Sequence, residues 1–316
     1  MAKNVLVKNL YDSVKDPLKL KLSTPGNFFN KRINSTEVHR PGLALAGFFD
    51  YFSSDRVQIL GRTEVSYIKM QKSNKDFEKR LKKFFSYKMP CIIVAKNLKV
   101  APVFLEYARR YKVPIFRSPL KTTTLVSKIT LYIEDALAPK THVHGTLLDV
   151  YGVGTLLLGK SGAGKSETAL ELVQRGQRLV ADDNVEVKLT PGDVLIGFSS
   201  QVIRHHMEIR GLGIIDMMSL FGVGAVRNQK RILLAVTLEH WDKNVEYERV
   251  GLADKTIDIL GVSLPHLVIP VIPGRNIPVL VEVAALNQRL NRMGIKSAER
   301  FNEDLIKQIA EGNASD

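Results

Sequence analysis

The sequence is poor in cysteine, in long apolar runs and in acidic side chains. Its single thiol, Cys91, excludes an internal disulfide bond and is typical of a reducing compartment. No apolar run approaches the roughly 20 residues that cross a bilayer, and the charged first residues lack the apolar core of a secretory signal. These absences predict a cytoplasmic protein without a membrane segment. Cys91 lies in the apolar run "PCIIVAKN", where we expect an inert buried thiol.

The shortage of acidic residues leaves a net charge of +14, since 46 lysines and arginines face 32 aspartates and glutamates. Such a surface can attract nucleic acid, nucleotides, anionic membranes or acidic proteins. The densest basic stretch, residues 72–85, has apolar side chains at helical spacing, which predicts an amphipathic helix. A solvated helix face is the simpler interpretation of its charges, and an RNA- or partner-binding patch is the alternative. The apolar side chains are Phe77, Leu81, Phe84 and Phe85.

The apolar pattern changes near residue 130, which predicts two domains in this chain of 316 residues. In the first half, short apolar runs alternate with amphipathic stretches, as in an α/β domain. Its clearest unit is the strand "CIIVA", a helix over Pro102–Arg110 and a second strand that starts at Pro114. This half carries no catalytic pattern. We predict an N-terminal α/β domain of unassigned role over residues 1–133 and a catalytic domain over residues 134–316.

Residues 159–166, "GKSGAGKS", match the phosphate-binding pattern G-x-x-x-x-G-K-[ST] in full. The pattern needs a strand before it and a helix after it. Here "GTLLLG" precedes it and "SETALELVQR" follows it, with Gly176 placed to close the helix. We expect Lys165 to bridge the β- and γ-phosphates and Ser166 to offer its hydroxyl to Mg²⁺. The predicted ATP- and phosphate-binding residues are Gly159, Lys160, Ser161, Gly162, Ala163, Gly164, Lys165 and Ser166.

An acid pair follows in the apolar segment "RLVADD", where Asp182 lies 16 residues after Ser166. In an extended backbone, Asp182 and Asp183 are expected to point to opposite sides. One carboxylate would then hold the water shell of the metal, and the other would take the proton of an acceptor hydroxyl during transfer. A solvated acidic turn at a strand end is the alternative interpretation.

Four histidines, His142, His144, His205 and His206, lie near these motifs. Together with Glu208 they suggest a zinc site, but their spacing matches no structural zinc pattern. A single histidine that orients an acid or relays its proton is the favoured interpretation.

Two further segments are unusual in composition. The first, "MEIRGLGIIDMMSLFGVGAVR", is rich in glycine and has Glu208 and Arg210 at its head, which indicates a mobile or tightly turning segment. The second, "IPVIPGRNIPVLVEV", places prolines and a glycine around Arg275. That composition predicts a loop whose arginine can reach a phosphate.

Taken together, "GKSGAGKSE", "RLVADD", "EIRGLGIID" and "PVIPGRN", with "HG" at His144, resemble the bacterial HPr kinase/phosphorylase family. The N-terminal stretch "RPGLALAGFFDYFSSDRVQILGRTEVSY" also resembles the first domain of that family. The resemblance spans the chain. It implies a two-domain α/β protein whose C-terminal P-loop kinase domain is similar, in its nucleotide site, to phosphoenolpyruvate carboxykinase.

The resemblance also implies a bifunctional enzyme. Members of the family use ATP or pyrophosphate to phosphorylate one serine of HPr, the phosphocarrier protein of the sugar phosphotransferase system. The same site dephosphorylates the phosphoserine with inorganic phosphate and releases pyrophosphate. This activity governs carbon catabolite repression. Family members are generally homohexamers, and glycolytic intermediates favour the kinase direction. The resemblance implies neither a nucleic-acid partner nor a membrane partner.

Carried onto this sequence, the resemblance assigns individual roles. Lys165 holds donor phosphates, Asp183 is the base and acid, His144 orients it, and Arg249 stabilises the transferring phosphoryl charge. The metal ligands are Ser166 and Glu208, and Asp182 is a possible second acid. The family signature comprises Met207, Glu208, Ile209, Arg210, Gly211, Leu212, Gly213, Ile214, Ile215 and Asp216. The loop associated with dephosphorylation comprises Pro270, Val271, Ile272, Pro273, Gly274 and Arg275.

Two other functions are compatible with a phosphate-binding loop. A small-molecule kinase usually carries an arginine-rich lid, which the sequence lacks. A nucleotide-sensing regulator that binds nucleic acid would use the net positive charge and the basic patch from Lys72 to Lys83.

The end of the chain predicts one more amphipathic helix. Residues 297–312, "SAERFNEDLIKQIAEG", place Phe301, Leu305 and Ile309 four residues apart. Packing on its own domain is the simpler interpretation, and docking on a neighbouring subunit or on HPr is the alternative.

Overall fold

The computed structural model describes residues 5–24, 28–71, 75–201, 203–243, 255–296 and 300. The chain divides into two compact units, Met1–Ala138 and Pro139–Asp316. Within the described ranges, no helix is long and apolar enough to cross a membrane. Apart from residue 300, the helix predicted over residues 297–312 lies outside the described residues.

The first unit is built around a sheet with the strand order β2-β7-β6-β5-β4, in which β4 to β7 are parallel and β2 is antiparallel to β7. A small antiparallel ribbon joins β1 and β3. The elements are β1 (Val5–Leu6), α1 (Val7–Val14), β2 (Lys21–Leu22), β3 (Arg32–Ile33), β4 (Val38–His39), α2 (Gly42–Ala46), β5 (Val57–Leu60), α3 (Arg62–Met70), α4 (Lys75–Ser86), β6 (Ile92–Val94), α5 (Pro102–Arg110), β7 (Ile115–Arg117) and α6 (Thr122–Leu137).

The amphipathic helix predicted in the basic stretch is α4. Its four apolar side chains, from Phe77 to Phe85, are at most 1% exposed. They pack against α5, where the rings of Phe85 and Phe104 meet edge to face with centroids 4.9 Å apart. The apolar face of α4 is therefore part of the hydrophobic core of the first unit. The predicted helix over Pro102–Arg110 coincides with α5, whose proline occupies the first turn, where a missing N–H is tolerated.

Cys91 lies next to β6 and is fully buried. Burial raises the pKa of its thiol to about 12, because the thiolate would lose its hydration, and nearby Lys31 offsets only part of this. The thiol is therefore un-ionised at neutral pH, which confirms the prediction of an inert core cysteine.

The second unit contains a mixed sheet with the order β11-β9-β10-β16-β13-β12-β8, and β18 lies between β16 and β17. Its elements are β8 (Lys140–His144), β9 (Thr146–Val150), β10 (Val153–Leu158), α7 (Lys165–Gln174), β11 (Arg178–Ala181), β12 (Asn184–Thr190), β13 (Val194–Phe198), β14 (His206–Ile209), β15 (Gly213–Asp216), α8 (Met217–Phe221), a 3₁₀ helix (Val223–Ala225), β16 (Gln229–His240), β17 (Thr256–Ile259), β18 (Val262–Val271) and α9 (Ile277–Arg292).

Strand direction brings several connections to one edge of this sheet. Strand β16 is parallel to both β10 and β18, while β9 is antiparallel to both β10 and β11. Strands β10, β11, β16 and β18 therefore run in the same direction, and their carboxyl ends share one edge. The chain leaves these ends at residues 159, 182, 241 and 272. Ligands of open α/β sheets bind at this edge.

Helices α7 and α9 cover one face of the sheet. Leu172 and Val173 on α7 and Val281 and Ala285 on α9 share a core cluster with strands β9, β10 and β16. Helix α7 ends as predicted at Gly176, whose φ of 93° is left-handed and therefore favours glycine. The amide of Gln177 bonds back to the carbonyl of Leu172 and closes the last turn.

Glu282 on helix α9 forms hydrogen bonds to residues outside that helix. Its buried carboxylate accepts hydrogen bonds from Arg175 (2.7 and 3.0 Å), Gln177 (3.0 Å) and the Tyr151 hydroxyl (3.3 Å). Burial alone would raise the pKa of Glu282, but the hydrogen bonds from Arg175 and Gln177 outweigh it and leave that pKa below its usual value.

We expect the substitution Glu282→Gln to lower the melting temperature of the second unit near pH 7 and to lower it less near pH 3. Because the folded pKa is depressed, the carboxylate stabilises the fold fully above its unfolded value of about 4.3 and loses this contribution as the pH falls through the folded value. Calorimetry at the two pH values measures the difference. The exposed Glu239→Gln is the control, and an equal loss at both pH values for Glu282→Gln would contradict the prediction.

Candidate functional site

The glycine loop, residues 159–166, connects β10 to α7. A Cβ at Gly159 would lie 2.5 Å from the carbonyl oxygen of Leu238 on β16, so this position excludes every side chain. Gly164 has a φ of 84° and precedes α7 directly. The loop therefore has the strand, tight turn and helix N-terminus that expose amide groups and positive partial charge to an anion.

Lys165 is the first residue of α7 and only 8% exposed. Its Nζ donates hydrogen bonds to the carbonyl oxygens of Gly159 (2.8 Å) and Lys160 (3.1 Å). The ammonium group is thus held inside the curl of the glycine loop. A buried positive charge at a helix N-terminus is suited to polyphosphate oxygens.

Asp182 lies immediately after β11 and is 5% exposed. Its carboxylate accepts hydrogen bonds from the Thr146 hydroxyl (2.6 Å), the Ser166 hydroxyl (3.3 and 3.4 Å) and the backbone amide of Glu208 (3.4 Å). Burial raises the pKa of Asp182, and the hydrogen bonds from Thr146 and the backbone oppose that rise. One carboxylate therefore joins three elements at the sheet edge.

Asp183 has a different environment from Asp182. It is 67% exposed, and its Oδ1 lies 3.2 Å from Nδ1 of His144. Its φ of 63° is left-handed rather than extended, because the chain must turn between the end of β11 and the start of β12 within two residues. Pairing of β8 with β12 places His144 opposite Asn184, beside Asp183. An exposed carboxylate beside a histidine can exchange a proton with the hydroxyl group of a large phosphoryl-acceptor substrate.

The signature hairpin, residues 207–216, is formed by β14 and β15. Arg210, at its turn, donates a hydrogen bond to the Ser161 hydroxyl (2.9 Å) on the glycine loop. Met207 and Ile209 are buried in the core, whereas Asp216 caps α8 through the amides of Met218 and Ser219. The signature thus divides into residues that reach the site and residues that hold the hairpin.

A cavity of about 130 Å³ lies between the glycine loop, the acid pair and the signature hairpin. Residues predicted from separate motifs line it together. They are His144, Ser161, Gly162, Gly164, Lys165, Ser166, Asp182, Asp183, Glu208 and Arg210.

The proline loop, residues 270–275, comprises the last two residues of β18 and the turn after them, and lies beside the glycine loop. A second cavity, of about 400 Å³, is lined by Val271, Gly274 and Arg275 on one side and by Ala163 and Gly164 on the other. Arg275 also contacts the carbonyl of Pro270 at 3.5 Å. The loop is therefore placed to meet a ligand held by the glycine loop.

The remaining candidates are Arg249 and the other histidines. Arg249 lies outside the described residues. His142 contacts Asn184, His205 contacts Asn228, and neither histidine is among the residues that line the 130 Å³ cavity. In the part of the chain that the structure describes, no group of three or more His, Cys, Asp or Glu side chains could hold a metal ion, and the suggested histidine zinc site is not formed there.

Thr146 was missed by the sequence analysis. It is fully buried at the start of β9 and makes the shortest hydrogen bond to Asp182. Thr146 belongs to no recognised motif. Because it lies 36 residues from Asp182 in the sequence, no local pattern indicates the contact.

Comparison with known families covers nearly the whole chain. Residues 5–133 match the family model described as HPr Serine kinase N terminus, and residues 135–305 match HPr Serine kinase C-terminal domain. The HPr kinase/phosphorylase of Bacillus cytotoxicus is 48% identical over 94% of this chain and 96% of its own. That of Bacillus licheniformis is 48% identical over 95% and 96%.

A solved structure of the Hpr(Ser) kinase/phosphatase from Coxiella burnetii is 36% identical, with a TM-score of 0.46. It covers 52% of this chain and 99% of its own. The family models, which match both halves of the chain, and the relatives, which are similar over almost its full length, confirm the predicted resemblance. The chain belongs to the HPr kinase/phosphorylase family.

Proposed function

We propose that this protein phosphorylates a serine of the phosphocarrier protein HPr with ATP or pyrophosphate, and reverses the reaction by phosphorolysis. The single observation that carries the proposal is the 130 Å³ cavity. There a lysine inside a glycine loop lies opposite an exposed aspartate–histidine pair. The first part suits a polyphosphate donor, and the second suits a hydroxyl acceptor. We assign the reaction to residues 134–316.

In the forward direction, the serine oxygen attacks the terminal phosphorus of the donor. The bond from that phosphorus to the bridging oxygen breaks, and Asp183 takes the serine proton. Lys165 and the amides of the glycine loop stabilise the charge that moves onto the leaving oxygens. His144, 3.2 Å from Asp183, orients the carboxylate. Arg210 adds a positive charge beside Ser161, and Arg249 is proposed to act on the transferring group.

In the reverse direction, an oxygen of inorganic phosphate attacks the phosphorus of phosphoserine. The bond from phosphorus to the serine oxygen breaks, pyrophosphate is formed, and Asp183 returns its proton to the serine oxygen. Because the glycine loop can hold a free phosphate where it holds a donor phosphate, the same side chains serve both directions. The proline loop, through Arg275, is proposed to favour phosphorolysis by contacting phosphate.

The oxygen donors at the sheet edge are suited to Mg²⁺. Ser166 and Glu208 would hold it, and Asp182, which accepts hydrogen bonds from the Ser166 hydroxyl and the backbone amide of Glu208, would order its water shell. These hydroxyl and carboxylate oxygens are the hard ligands that Mg²⁺ prefers, supplemented by substrate phosphates. When bound, Mg²⁺ neutralises phosphate charge.

The proposed partners are HPr, ATP, pyrophosphate and inorganic phosphate, and the proposed assembly is a homohexamer in the cytoplasm. The test is one mixture of the protein, ATP, Mg²⁺ and HPr, followed by addition of inorganic phosphate. Mass spectrometry should show HPr gain one phosphoryl group and then lose it as pyrophosphate appears. Unmodified HPr after the first step would refute the proposal, and native mass measurement tests the hexamer.

A further inference from the structure

Thr146 occupies an unusual position for a polar side chain. It is fully buried at the first position of β9, a strand whose five residues are all buried. Its hydroxyl donates to Oδ1 of Asp182 at 2.6 Å, the shortest contact that this carboxylate makes. Strand β9 is paired on both sides, with β10 and β11, so the hydroxyl is fixed by the sheet.

The contacts of the Asp182 carboxylate join the sheet to both sides of the site. Ser166, on the glycine-loop side, donates to both oxygens, and the amide of Glu208, on the signature hairpin, donates to Oδ2. These contacts are 3.3 to 3.4 Å long and therefore hold the carboxylate less tightly than the 2.6 Å bond from Thr146 does. The short bond from Thr146 fixes Oδ1 most firmly, because without it this buried oxygen would be left with the 3.4 Å contact from Ser166, which is disfavoured.

We infer that Thr146 is a positioning residue. It fixes the Asp182 carboxylate so that Ser166 and Glu208 are held at the spacing that magnesium-linked phosphate binding requires. This inference rests on the proposed function. Thr146 is fully buried and does not line the 130 Å³ cavity, so it acts only through Asp182. Ser166 and Glu208 are 42 residues apart in the sequence. A fixed contact on the sheet is therefore needed to keep their relative positions constant.

The test is Thr146→Val, which keeps the side-chain shape and removes the hydroxyl. We expect kcat for phosphorylation and phosphorolysis to fall about tenfold, as for the loss of one hydrogen bond to a charged group. The KM for HPr should remain unchanged, because the acceptor side of the site is untouched. The matched control is Thr155→Val, on the neighbouring strand β10, where the hydroxyl of an equally buried threonine donates to the carbonyl of Val153 at 3.3 Å.

Calorimetric titration with ADP gives a readout that is independent of turnover. Without Mg²⁺, Thr146→Val should bind ADP within about twofold of wild type. With Mg²⁺, the gain in affinity should be several-fold smaller than in wild type, and Thr146→Ser should restore it. If Mg²⁺ increased the ADP affinity of Thr146→Val as much as it increases that of the wild type, the inference would be overturned. A Thr146→Ser variant as impaired as the valine variant would also overturn it, because the methyl group would then be the important part.

The two proposals fail in different ways. If the wild-type protein bound ADP with the expected dependence on Mg²⁺ but left HPr unmodified, the proposed function would fail and the role of Thr146 would stand on the titrations. If HPr were modified normally by both wild type and Thr146→Val, and the titrations were identical, only the role of Thr146 would fail.

Discussion

Replacing Lys165 with alanine is expected to lower both phosphorylation and phosphorolysis of HPr by at least about 10²- to 10³-fold, the typical cost of removing one preorganised charge-stabilising group. The ammonium group lies inside the glycine loop, 2.8 Å from the carbonyl of Gly159 and 3.1 Å from that of Lys160. Among the described residues that line the 130 Å³ cavity, no other positively charged side chain comes from the start of α7. The variant also loses the internal bonds of the loop.

Initial rates in both directions measure this effect, and equilibrium titration with ADP measures the accompanying loss of affinity. Lys165→Met, which keeps the aliphatic stem, should be equally inactive if the charge is what matters. The control is Lys230→Ala. Lys230 is also largely buried, at 12% exposed, but it pairs with Asp149 at the opposite edge of the sheet. Normal HPr modification by Lys165→Ala would remove the glycine loop from the mechanism.

Features that depend on a few neighbouring residues could be predicted from the sequence. The turn between β9 and β10 falls at Tyr151 and Gly152, both with left-handed φ angles of 48° and 87°. Helix α7 begins where the phosphate-binding pattern ends, and Gly176 closes it. In each case the residue type and the required backbone conformation are adjacent, so a local pattern carries the information.

Contacts between distant segments could not be predicted in the same way. Arg210 bonds to Ser161 across 49 residues, and Thr146 bonds to Asp182 across 36. The first contact depends on where the signature hairpin lies beside the glycine loop, and the second depends on the pairing of β9 with β11. Strand order is set by the total packing of the sheet, so no short motif encodes it.

The backbone of Asp183 is an intermediate case. The motif predicted two acids with opposite environments, and their exposures of 5% and 67% agree with that separation. The extended backbone was wrong for Asp183, whose φ is 63°. The turn arises because β11 and β12 are not adjacent in the sheet. A left-handed aspartate is uncommon, and such conformations concentrate at functional sites.

Asp183→Asn is expected to lower the rates of both directions of the reaction strongly while leaving nucleotide binding nearly intact. General acid–base catalysis contributes about 10²- to 10⁴-fold, so we expect both rates to fall by that factor. Asparagine fits the same space and tolerates a left-handed φ, so the backbone should be retained. It cannot accept the serine proton. Because one carboxyl group serves as base in one direction and acid in the other, the two rates should fall by similar factors.

The matched control is Asp193→Asn, since Asp193 is also exposed and has a left-handed φ of 55°, but lies in the turn between β12 and β13. It should keep both activities. Titration with ADP and Mg²⁺ should give wild-type affinity for Asp183→Asn, because Lys165 and Ser166 are unchanged. A variant that lost only phosphorolysis would contradict a shared acid and base. Near wild-type phosphorylation would show that His144, or another group, accepts the proton, and that the Asp183–His144 pair, at 3.2 Å, has a different role.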